Sequence, residues 1–214
     1  MERSVVVLFA DLAGYTALTE AHGDREAAEV ADRFYALARA NLVGDARLVK
    51  TIGDAVMIVA TTAANAVATA LGLAAAVTAE PAFPTLRVGL HAGVAIEQNE
   101  DYFGATVNLA ARVSSYARGG QILCTTSVAD AISGLGIATV QAIGTAQFKN
   151  VQQAVELHAI DQLASGPGDV DPVCRMAVGS GSGAQRVVHD GKTILFCSSG
   201  CAAKFEADPA AYTR

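Results

Sequence analysis

Positive charge is in short supply in this sequence: 15 Lys and Arg stand against 21 Asp and Glu, a formal net charge of −6. That balance argues against a nucleic-acid partner or an anionic-membrane surface, since both need clustered Lys and Arg. A polyanionic small molecule could still bind, but only if metal ions or a few focused basic groups hold it. An uninterrupted apolar run of membrane length is also missing. The longest candidate, around Ala63 to Ala79, is broken by Asn65, Thr69 and Thr78 and is rich in alanine, so a buried helix is expected there. No secretion signal precedes the apolar stretch Val5-Val6-Val7-Leu8-Phe9, and a cytoplasmic location is expected. Cysteines number only 4, and without a secretion signal they favour thiols or metal ligands over structural disulfides. Internal repeats are absent too. With 52% apolar and 17% charged residues the chain can bury a core, and 214 residues suit one domain with a small appendix.

The periodicities alternate between strand and helix. Val5–Ala10 is a continuous apolar run of strand length that ends at Asp11 and a turn containing Gly14. Thr16–Leu42 has helical spacing. Ala46–Lys50 and Ala55–Ala60 read as a hairpin around Thr51-Ile52-Gly53-Asp54. A helix over Ala63–Val77 stops before Pro81, a strand follows at Leu86–Ile96, and a helix at Phe103–Tyr116. Shorter strands at Gln121–Thr125, Ile137–Ala142 and Val155–Ile160 complete the region. This order predicts an α+β fold, a ferredoxin-like βαββαβ arrangement with an added helix and strands. The expected domain occupies residues 1–162, a Gly/Ser/Pro-rich linker 163–170, and a small cysteine-rich unit 171–214.

Asp11 ends the first strand and Asp54 sits in the hairpin turn, so in such a sheet the two carboxylates can reach one point at its edge. Converging carboxylates suit hard divalent cations such as Mg²⁺ or Mn²⁺. The turn Leu12-Ala13-Gly14-Tyr15-Thr16 opens onto a helix and can present N–H groups to phosphates. Taken singly, Asp11 could equally cap a helix, and Gly53-Asp54 could be an ordinary turn. Asn108 and Arg112 lie four apart and share a helical face among apolar neighbours, where burial without a partner would be costly.

In sequence order, Phe9-Ala10-Asp11-Leu12-Ala13-Gly14-Tyr15-Thr16, Lys50-Thr51-Ile52-Gly53-Asp54, Arg87-Val88-Gly89-Leu90-His91-Ala92-Gly93, Asp101-Tyr102-Phe103-Gly104 leading to Asn108 and Arg112, Gly119-Gly120-Gln121-Ile122-Leu123 and Phe148-Lys149-Asn150-Val151 resemble the class III nucleotidyl cyclase catalytic domain. The resemblance covers about residues 1 to 160. It implies that Asp11 and Asp54 bind two Mg²⁺ or Mn²⁺ ions per active site. It further implies that Lys50 and Asp101 read the base, Asn108 orients the ribose and Arg112 stabilises the transition state. Lys149 could touch the outer phosphates or lie free on the surface. A Lys ammonium donates to adenine N1 and an Asp accepts from the N6 amino group, whereas guanine offers the reverse pattern. ATP is therefore the expected substrate and cyclic AMP the product. The family's sites lie between two domains, which implies a homodimer with two active sites. Two other readings stay open: a non-catalytic, nucleotide- or metal-sensing module, and a guanylate cyclase.

Past the linker, Asp171-Pro172-Val173-Cys174-Arg175-Met176, Phe196-Cys197-Ser198-Ser199-Gly200-Cys201, Phe205 and Asp208-Pro209-Ala210-Ala211-Tyr212 resemble the YHS domain, a relative of the TRASH metal-binding modules. Cys174, Cys197 and Cys201 would suit Zn²⁺ or Cu⁺. His189 is a candidate fourth ligand, although a His in a polar turn is often only surface. The family usually has Gly at the place of Arg175, so the loop beside Cys174 is expected to differ. Cys124 is expected in the core. A cyclase whose output follows the metal or thiol state of its tail is the regulatory expectation.

Overall fold

The structure, a computed structural model, describes residues 1–161, 169–178 and 184–212. The chain opens with β1 (Glu2–Leu12), followed by α1 (Tyr15–His22) and α2 (Asp24–Ala40). Where one helix over 16–42 was expected there are two, because Gly23 breaks the run at φ 88°, a conformation open to glycine at little cost. The hairpin β2 (Arg47–Ile52) and β3 (Ala55–Ala60) comes next, then α3 (Ala63–Ala79) and the long β4 (Leu86–Gln98). The Thr62 hydroxyl caps α3 by accepting from the Asn65 N–H, and the helix ends just before Pro81. Further along lie β5 (Asp101–Phe103), α4 (Ala105–Tyr116), β6 (Ile122–Thr125), α5 (Thr126–Ile132), β7 (Thr139–Ala146) and β8 (Val155–Asp161).

These strands form one sheet in the order β2-β3-β1-β4-β6-β8-β7, with β5 paired to β4. The mixed α+β sheet was expected; α5 was not, since its seven residues directly continue a strand. Alternation along β1 sorts its side chains between two layers. Val6, Leu8, Ala10 and Leu12 pack into the larger core with α2 and α3, while Val5, Val7 and Phe9 join Met57, Val59 and Ala110 on the opposite face. There α4 lies against β4 at Gly89, where an added Cβ would fall 2.0 Å from the Ser114 backbone nitrogen. Only glycine permits that approach. Cys124 is fully buried, as expected. No described helix is long and apolar enough to cross a membrane.

The tail holds β9 (Asp169–Val170), β10 (Ala177–Val178), β11 (Gln185–His189), β12 (Lys192–Phe196), α6 (Ser199–Ala207) and a 3-10 turn at Pro209–Ala211. Of the expected linker 163–170, residues 163–168 lie outside the described residues, while Asp169 and Val170 pair with Val178 and Ala177. The tail packs on the main domain. Ala177 donates its N–H to Phe83 O, Pro84 bridges to Met176, and Phe83, Val173, Met176 and Phe205 share the large core.

Candidate active site and a cysteine-histidine cluster

Asp11 is the last polar group before β1 ends, and the antiparallel register sets Arg87 of β4 and Ala55 of β3 directly beside it. Arg87 Nε donates to Asp11 Oδ2 at 2.6 Å. Asp54 stands in the hairpin turn next to Ala55, and its carbonyl accepts from the Leu12 N–H at 3.2 Å. The two carboxylates thus meet at the ends of central strands rather than at a lateral edge of the sheet. Burial, and the Asp54 carboxyl that shares a hydrogen bond with it, push the Asp11 carboxyl up to about 6, against the opposing pull of Arg87. A half-buried pair of acids that a single guanidinium does not fully compensate fits divalent cations, whose charge and oxygen preference match this donor set. Tyr35 of α2 donates its hydroxyl to the Gly53 carbonyl and so ties the turn to that helix.

The turn after Asp11 meets only part of its expectation. Leu12 is fully buried and its N–H is used by Asp54 O; the Ala13 N–H is used by Thr85 O at 2.8 Å. Neither is left for a phosphate. From Gly14, which caps α1 at φ 83°, helix geometry leaves the N–H groups of Tyr15, Thr16 and Ala17 without an acceptor inside the helix. Tyr15 lies close enough to Asp54 that burial and that carboxylate both raise its hydroxyl above the ordinary value.

Lys50 and Asp101 meet within the chain, Nζ lying 2.8 and 2.6 Å from the two carboxylate oxygens. Burial works to raise the Asp101 carboxyl, but Lys50 and the Tyr102 N–H together hold it below the usual range. Asn108 is exposed and Arg112 half-buried on α4, and neither side chain has a hydrogen-bond or ion-pair partner among the described residues. The expected cost of burying them does not arise, because the apolar face of α4 is carried by Ala110 and Val113 instead. Lys149 is exposed beyond β7. Arg87 had no assigned role in the sequence; its signal was its place opposite Asp11 once two apolar strands are paired.

In the tail, the buried Asp171 carboxylate gathers backbone N–H groups from Val173, Cys174 and Cys197, so it fixes both cysteine-bearing loops at once. Cys174 Sγ lies 3.4 Å from Cys197 Sγ, and Cys197 Sγ 3.7 Å from Cys201 Sγ. The hydrogen bond with Cys174 lowers the Cys197 thiol to about 7, while burial pushes Cys201 up to about 12. His189 is not with them. It stacks edge-on against Phe205 at 5.3 Å and faces Asp190, since its place at the end of β11 turns the ring onto the tail's aromatic core. The histidine beside the thiols is His22 of α1, its Nε2 3.6 Å from Cys197 Sγ and 3.5 Å from Cys201 Sγ. Arg175 stands at φ 65°, so the loop keeps the left-handed turn that glycine adopts freely and arginine holds at some strain.

A sheet of this order, with paired acids at its strand ends, defines a nucleotidyl cyclase core. Residues 1–162 match the family model for the adenylate and guanylate cyclase catalytic domain, and the chain belongs to that family. Residues 170–214 match the YHS domain. A pH-sensitive adenylate cyclase of Mycobacterium tuberculosis is 41% identical over 130 residues, 61% of this chain and 33% of the relative. An adenylate cyclase of Glutamicibacter nicotianae is 34% identical over 176 residues, 82% of this chain and 40% of the relative. The chain thus spans 33 to 40% of the length of these relatives. Among solved structures, an adenylate cyclase of Trypanosoma brucei in its monomeric state superposes with a TM-score of 0.66 at 24% identity, covering 73% of this chain and 87% of that one. The adenylyl cyclase CyaB of P. aeruginosa gives 0.62 at 18%, covering 77% and 96%. At such identities these two speak for the fold alone.

Proposed function

We propose that the chain is an adenylate cyclase, converting ATP to 3′,5′-cyclic AMP and pyrophosphate at two sites shared across a homodimer. The observation that carries this is the convergence of Asp11 and Asp54 beside the start of α1 in a chain of the cyclase family. Asp11 and Asp54 would hold two Mg²⁺ or Mn²⁺ ions, which when bound lower the pKa of the ribose 3′-hydroxyl and neutralise the triphosphate. The 3′-oxygen attacks the α-phosphorus in line, its proton passes to solvent water, and the bond from the α-phosphorus to the bridging oxygen breaks as pyrophosphate departs. Lys50 of the partner chain donates to adenine N1, and Asp101 of the partner chain accepts from N6. Asn108 of the partner chain's α4 orients the ribose. Arg112 beside it meets the charge that grows on the α-phosphate, a role whose loss costs roughly a hundredfold or more in rate.

Two features support a second chain at the site. Asn108 is exposed and Arg112 half-buried on α4, and neither side chain is taken by a partner among the described residues, as expected of groups reaching for another chain's substrate. On β4 and β5, Val94, Ile96 and Phe103 are roughly half exposed, and Ile96 and Phe103 are cross-strand neighbours. An apolar patch of this kind marks an interaction face. The deciding experiment incubates the protein with ATP or GTP and Mn²⁺, beside Arg112→Ala. Cyclic AMP from the unaltered chain alone is expected. Cyclic GTP as the main product would assign a guanylate cyclase, and no cyclic nucleotide would assign a binding module.

A further inference from the structure

The tail's three thiols and His22 gather from opposite ends of the chain, Cys201 and His22 lying 179 positions apart. The ligand atoms of Cys174, Cys197, Cys201 and His22 all fall within 4.8 Å of one another. A tetrahedral zinc site, with bonds of about 2.3 Å to sulfur and about 2.0 Å to nitrogen, has edges of about 3.8 Å between sulfurs and about 3.5 Å between sulfur and nitrogen. Four of the six edges in the structure are 3.4 and 3.7 Å between sulfurs and 3.6 and 3.5 Å to Nε2, and the two from Cys174 to Cys201 and to His22 fall within 4.8 Å. The other ring nitrogen is also engaged: His22 Nδ1 lies 3.4 Å from Glu26 Oε1, one turn on along the chain. A carboxylate behind the remote nitrogen holds a metal-binding imidazole in the tautomer that leaves Nε2 free.

We propose that Cys174, Cys197, Cys201 and His22 form a tetrahedral Zn²⁺ site built jointly by the tail and the cyclase domain. Four converging ligands of this mixed kind suit a borderline ion that favours tetrahedral coordination. The site fastens the tail to α1. Other contacts point the same way: Lys204 donates to the carbonyls of Glu20 and Ala21 at the end of α1, and Arg175 packs on Gly14 at its start. The helix that begins beside the paired acids is thus gripped at both ends, and zinc closes the grip at His22. This goes beyond the cyclase reading and stands without it.

The test measures Zn²⁺ content and affinity of the full chain by chelator competition, and records the d–d absorption of the Co²⁺-substituted protein. One Zn²⁺ per chain and a tetrahedral cobalt spectrum are expected. His22→Ala should weaken binding by at least a hundredfold and alter the spectrum, and Glu26→Gln should weaken it about ten- to a hundredfold. His189→Ala should change neither. His22→Cys keeps four ligands and should bind zinc with a spectrum shifted toward all-sulfur coordination, which separates lost coordination from lost folding. Unchanged affinity and spectrum in His22→Ala would overturn the shared site. Uptake of Cu⁺ with no Zn²⁺ would overturn the assigned metal.

Discussion

Lys50 and Asp101 lock onto each other at 2.6 Å, each fixing the other's rotamer. In the proposed site, a base arriving between them would find its donor and acceptor already placed, so little ordering would be needed on binding. Removing the donor, as in Lys50→Ala, should lower kcat/KM for ATP by about tenfold or more, since a hydrogen bond from a charged donor contributes roughly 1.5–3 kcal/mol. Lys50→Glu combined with Asp101→Ala should move the ratio of GTP to ATP turnover upward; a ratio that stays put would remove these residues from base selection. Ser114 is a contrasting case. Its hydroxyl is buried with no hydrogen-bond partner among the described residues. Ser114→Ala should therefore raise stability by up to about 1 kcal/mol, seen as a higher urea midpoint at constant slope. A fall of similar size would mean that the hydroxyl is paired after all.

At the scale of elements, α4 depends on β4 having no side chain at Gly89. Gly89→Ala would press a methyl group into the helix backbone at Ser114 and cost about 1–3 kcal/mol. Because α4 carries Asn108 and Arg112, turnover should fall more than ATP affinity, measured as kcat against KM in the folded fraction. The strands of the main sheet other than β5, and the longer helices, could be read from the sequence because their burial is periodic. Gly23 was read through, since one glycine is tolerated within a helical pattern, yet its positive φ splits α1 from α2. Leu12 and Ala13 looked available to phosphate because a motif names residues and not which N–H groups the sheet has already taken. No periodicity could bring His22 to cysteines 175 and 179 positions away. His189, nearer in sequence, was the natural candidate, and the aromatic core of the tail claims it instead.

Across the whole molecule, each proposed site divides its residues between two chains. An Asp54→Ala chain and an Arg112→Ala chain should each be inactive alone. Mixed in equal amounts, half the dimers would be hybrids with one intact site, so about a quarter of full activity should return. Silence in the mixture, with exchange of subunits verified, would place a complete site within one chain. The tail adds a cross-connection of another kind. His22 precedes Cys174, Cys197 and Cys201 in the chain by more than a hundred positions, so it leaves the ribosome well before them. A thiolate cluster that needs this imidazole can reach its full grip on a metal only after the sheet and α1 have assembled. Metal capture would then follow folding and mark the chains that have folded correctly.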